Sequence, residues 1–93
     1  MPQSEEDMHK YHLEKIRHIE DQIRNIDAHI RELEAFELAQ MKRNMPKEYK
    51  TAMHFALHKA KTDANAMKNK ANLAVSDLKG RVNTYLQTHN KRV

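Results

Sequence analysis

The chain has 93 residues, 32% charged, 39% apolar and 5% aromatic, with one Gly, two Pro, no Cys and a formal net charge of +4. That size allows one small domain and excludes a Rossmann or barrel enzyme, and the lack of Cys excludes a disulfide scaffold and a cysteine-ligated zinc site. A single Gly argues against a turn-rich β fold, and no apolar run approaches the roughly 20 residues that span a bilayer.

The acidic, polar start from Met1 to Met8 reads as neither a signal peptide nor a transit peptide. Ser4-Glu5-Glu6-Asp7 then reads as a helix start. Ser4 can accept from an orphan backbone N–H, and three acids in one turn suit the positive end of the helix dipole. Ile16, Ile19, Ile23, Ile26, Ile30 and Leu33 follow at alternating spacings of three and four. That is a heptad seam, with Ile16, Ile23 and Ile30 at position a and Ile19, Ile26 and Leu33 at d. Asn44-Met45-Pro46 is the first breaker. Asn44 can cap a second helix, and Pro46 is tolerated in a first turn. A second heptad runs Met53, Leu57, Ala60, Ala64, Met67, Ala71, Ala74, Leu78. Val82, Tyr85 and Leu86 continue its period past Gly80.

These signals predict an all-α fold: an antiparallel two-helix hairpin, coiled-coil-like, with an Ile/Ala seam, self-associating into a helical bundle. The whole of 1–93 is read as one domain. Helix 1 covers about 4–43, the turn 44–46, helix 2 about 46–87, and the basic tail 88–93 is frayed. Folding back about Met45 sets Leu33 against Leu57, Ile30 against Ala60, Ile26 against Ala64, Ile23 against Met67, Ile19 against Ala71 and Ile16 against Ala74. On the flanks it sets Glu20 and Asp27 against Lys68 and Lys61, Lys15 against Asp77, and His29 against Asp63.

Charge is divided along the chain. Residues 1–37 hold ten Asp/Glu and five Lys/Arg, whereas 38–93 hold three acids and twelve bases. The halves can pair with each other, or the basic half can meet an acidic partner or nucleic acid. At the closed end Glu37 falls on an a position, and the apolar residues shift to Phe36, Leu38, Met41, Met45, Tyr49, Met53 and Phe55. Two readings are open for this cluster: a small core that caps the hairpin, or an adaptable binding surface. Lys42, Arg43, Lys47 and Lys50 surround it, and the last two oppose the dipole of helix 2.

No catalytic constellation, Gly-rich phosphate loop or cofactor motif is present, so the chain reads as a non-enzyme without a cofactor or small-molecule substrate. His54 and His58 are one turn apart, with Glu34 near His54 in this register. They are read as solvent-facing rather than as a metal site, and no metal is assigned. The expected function is a protein-interaction module (an adaptor, assembly factor or inhibitor). Lys42, Arg43, Met45, Lys47, Tyr49 and Lys50 at the tip, or a helix face, meet a larger protein partner. The alternative is nucleic-acid binding by His54, His58, Lys61, Lys68, Asn72, Lys79, Lys91 and Arg92, with Lys and Asn at one-turn spacing tracking phosphates. A homodimer in the cytoplasm, away from membranes, is expected. The architecture resembles the small helical-hairpin regulators of the Rop type. No motif residue is shared, and no functional residue is carried over.

Overall fold

The computed structural model describes residues 4–90, with side chains as far as His89. Two helices account for nearly all of it: α1, Glu5–Met41, and α2, Lys47–Asn90. Ser4 is the N-cap of α1. Its Oγ accepts from the N–H of Asp7 at 3.1 Å, and its carbonyl accepts from Met8 at 3.0 Å. Glu5, Glu6 and Asp7 fill the first turn, as the dipole favours.

Between the helices Arg43 N–H donates to the Gln40 carbonyl and Met45 N–H to that of Arg43. Lys50 N–H donates to the Pro46 carbonyl at 3.2 Å, which makes Pro46 the N-cap of α2. Asn44 lies before it, in the turn, and does not cap. Proline brings no side-chain acceptor, so the first N–H groups of α2 have no side-chain cap among the described residues. The turn uses no residue with positive φ. Gly80 does not end α2, which runs to Asn90, beyond the expected end near 87.

The chain divides into two compact units. The first pairs α1 up to Ile23 with α2 from Lys70. Ile16, Ile19, Val75 and Val82 are buried there, with Ile23, Ala71 and Leu78 packed against them. His9 stacks on Tyr85 with centroids 4.2 Å apart, and Glu20 meets Lys79 at 3.5 Å. The second unit is Arg24–Asn69. Leu57 and Ala64 are buried, and Ile26, Ile30, Leu33, Met53 and Ala60 are half-buried. Lys68 Nζ lies 2.7 Å from Asp27 Oδ1, and Lys61 Nζ 3.8 Å from Glu37 Oε2. In each unit partners descend along α2 as they ascend along α1, so the helices are antiparallel. The expected all-α hairpin is the fold.

The expected register is corrected. The inner stripe of α1 is the predicted one, extended through His9, His12 and Glu37. On α2 it runs Leu57, Lys61, Ala64, Lys68, then Ala71, Val75, Leu78, Val82. Ala74 is exposed and Met67 is 61% exposed, so neither is in the seam. Glu20 pairs with Lys79 rather than Lys68, and Asp27 with Lys68 rather than Lys61. Asp77 binds Arg81 within α2 at 3.2 Å, not Lys15. The cause is Val75. At roughly 0.8 kcal/mol per buried carbon, it gains about 1.6 kcal/mol over an alanine. The expected seam would bury Ala74 in its place; Val82, which continues the expected period past Gly80, is buried as well. In the second unit Lys61 and Lys68 lie on the inner stripe of α2 with Leu57 and Ala64.

Cysteines at Ile16 and Leu78 should therefore form an intrachain disulfide under mild oxidation, and cysteines at Ile16 and Ala74 should not. Gel mobility of the oxidised protein reads the difference. A Cβ on Gly80 meets nothing within 4 Å. Gly80→Ala should thus stabilise the protein by about 0.5–1 kcal/mol in urea denaturation, through helix propensity alone.

Candidate functional site

The second unit carries a groove of about 340 Å³, lined by Glu37, Met41, Lys47, Lys50, Thr51, Met53, His54 and Phe55. Its walls come from the end of α1 and the first two turns of α2. They are local consequences of the turn. Pro46 starts α2 so that Lys47, Lys50, His54 and Phe55 follow at helical spacing. Thr51 is held by its hydroxyl, which donates to the Lys47 carbonyl at 3.0 Å. Met41 and Phe55 are exposed, as are Phe36, Leu38 and Tyr49. The cluster is thus a surface, and the alternative of a capping core is not what forms.

Glu37 sits at the inner edge of this groove. Its side chain is only 17% exposed, because the a position points it at α2. Lys61 Nζ and His54 Nδ1 each lie 3.8 Å from Oε2. That is ion-pair range and too long for a hydrogen bond. Oε2 is buried and has no hydrogen-bond partner among the described residues. A carboxylate held off water without a full set of donors is costly to the fold.

The expected tip residues divide. Lys47 and Lys50 line the groove. Lys42, Arg43 and Tyr49 are exposed beside it, and Met45 is half-buried. Lys42, Arg43, Lys47 and Lys50 have no ion pair among the described residues. Glu37, Met41, Thr51, Met53 and Phe55 belong to the site as well. The signal that pointed to Glu37 is its break in an otherwise apolar heptad.

The alternative nucleic-acid residues fare differently. Lys61, Lys68 and Lys79 each reach an α1 acid, and His54 faces Glu37. His58 lies against His54, with centroids 6.4 Å apart, and Asn72 is exposed. Lys91 and Arg92 lie outside the described residues. Glu37, rather than Glu34, is the carboxylate beside His54. No group of three or more His, Asp or Glu among the described residues is placed to hold a metal ion. No helix among them is long and apolar enough to cross a membrane.

A second hollow of about 320 Å³, in the first unit, is lined by residues including Glu5, His9, His12, Arg81, Tyr85 and His89. Its polar groups largely bind one another. His89 meets Glu5 at 3.4 Å and stacks on Tyr85, while Thr84 and Thr88 donate to backbone carbonyls. His9 Nδ1 in this hollow, like Glu37 Oε2 in the groove, is buried with no hydrogen-bond partner among the described residues. The groove differs in that its unpartnered atom belongs to a carboxylate, which Lys61 approaches only to 3.8 Å.

The chain matches no protein-family model, no curated protein and no solved structure.

The position of Glu37 yields a stability prediction. Glu37→Leu restores the apolar a position and leaves Lys61 a long stem with which to reach water. The variant should be more stable than the parent by about 1 kcal/mol in urea denaturation, at unchanged helix content. Destabilisation would mean that the Lys61 and His54 pairs outweigh the burial of the carboxylate.

Proposed function

We propose that this protein is a non-enzymatic interaction module whose tip captures an acidic, apolar segment of a larger protein partner. The observation that carries the reading is the juxtaposition of the Met41/Met53/Phe55 groove with Lys42, Arg43, Lys47 and Lys50, four bases that make no ion pair among the described residues. Methionines make an adaptable apolar wall, and the bases around it attract carboxylates and repel cationic partners. Two of them stand in the first turn of α2, beside N–H groups without a side-chain cap. A partner carboxylate there would meet lysine and helix N-terminus together.

The alternative of nucleic-acid binding along α2 draws less support. Three of its lysines are held at α1 acids, so a phosphate would compete with Asp27, Glu20 and Glu37 for them. The stripe also has no aromatic residue on which a base could stack.

A random dodecapeptide display library selected on the purified chain tests the proposal. The enriched peptides should carry an aromatic or large aliphatic residue flanked by Asp and Glu. Their synthetic copies should bind at least about tenfold more weakly to the Lys47→Glu, Lys50→Glu double variant, whose circular dichroism should match the parent. Enrichment without acids, or equal binding to the double variant, would overturn the assignment. Labelled duplex DNA and RNA in the same assay, at several salt concentrations, give the competing result if they bind with a steep salt slope.

A further inference from the structure

The groove joins three features. Its walls are apolar and thioether-rich, its rim is cationic, and its inner edge is a carboxylate short of hydrogen-bond donors. Resting on the reading of the tip as a site for an acidic segment, we propose that the segment is anchored by a tryptophan. Its ring lies among Met41, Met53 and Phe55, and its indole N–H donates to the Glu37 carboxylate.

The choice follows by elimination among side chains. An aliphatic or phenylalanine anchor would fill the groove and leave Glu37 with no new donor, now further from water. A lysine or arginine would supply donors, but Lys47, Lys50 and Lys61 line or face the site and oppose a further cation. Serine and threonine supply a hydroxyl without the apolar bulk to fill about 340 Å³. Tyrosine brings a donor on an oxygen that is also an acceptor. Tryptophan alone combines a large apolar ring, no charge, a strong donor and no acceptor. Its π face also suits the sulfur atoms of Met41 and Met53. His54 is 65% exposed, so its ring can turn aside as the indole enters. Acids next to the tryptophan in sequence would then reach Lys47 and Lys50.

The protein contains no tryptophan, so the emission of a bound peptide reports the anchor directly. The probes are four acidic dodecapeptides that differ only at the central residue: tryptophan, 1-methyltryptophan, tyrosine and phenylalanine. The tryptophan peptide should show blue-shifted emission on binding. It should bind about tenfold more tightly than the 1-methyltryptophan and phenylalanine peptides by calorimetry, the preference expected of a hydrogen bond to a charged acceptor. In Glu37→Leu, with helix content intact, the preference for tryptophan over 1-methyltryptophan should vanish. Equal binding of the four peptides to the parent, or a preference that survives Glu37→Leu, overturns the anchor and leaves the acidic-partner reading standing. No binding by any of the four overturns both.

Discussion

The rotation of α2 about its own axis decides most of what this chain presents. In the first unit Val75 and Val82 lie inside, and in the second Lys61 and Lys68 share the inner stripe with Leu57 and Ala64. A lysine on an inner stripe lays its stem along apolar neighbours and carries its ammonium to the edge, where an acid must meet it. Asp27 and Glu37 are those acids. The consequence is an exchange of charge between the helices. Along the seam Lys61, Lys68 and Lys79 of α2 meet Glu37, Asp27 and Glu20 of α1.

Once Lys61, Lys68 and Lys79 are engaged, Lys15, Arg17, Arg31, Lys59 and Lys70 keep no ion pair among the described residues, and four more such bases, Lys42, Arg43, Lys47 and Lys50, stand around the turn. There α1 ends without a basic last turn and α2 begins with lysines against its dipole. Neither helps the fold. Glu37 belongs to the same region and also departs from what packing alone would select. When several residues in one small area each break a local rule, the area is a place where selection for something besides stability can be read.

The sequence was most legible in α1. Its heptad runs without ambiguity from Ile16 to Leu33, the Ser4 cap is where its acidic first turn implies, and the Glu37 break is visible. In α2 two stripes compete. Ala60, Met67 and Ala74 lie one residue away from Lys61, Lys68 and Val75, and counting apolar residues favours the first. Only the greater bulk of Val75 favours the second. Charge could not arbitrate, because Glu20, Asp27 and Glu34 recur every seven residues, as do Lys61 and Lys68. A pattern with the period of the helix pair looks satisfied at more than one offset, so agreement of seam and flank did not fix the register. The site was legible in outline, as a base-rimmed cluster. Its shape was not, because Met41, Met53 and Phe55 read equally well as a cap over the hairpin end.

An exposed apolar groove invites contact between copies, and the bases beside it bear on that. Bringing two tips together doubles the local positive charge in the space from which water must be removed, so the contact that would bury the methionines is opposed electrostatically. An acidic segment meets the reverse situation, since each carboxylate relieves repulsion among Lys42, Arg43, Lys47 and Lys50 as it arrives. The interior asks for something different. Glu37 repels any acid that enters the groove itself, so the carboxylates of a partner must stay on the rim while an uncharged group goes in. Rim and interior thus impose opposite charge requirements a few ångströms apart, and a segment must meet both in one geometry. That pairing of demands, more than the apolar area of the groove, is what would give so small a surface its selectivity.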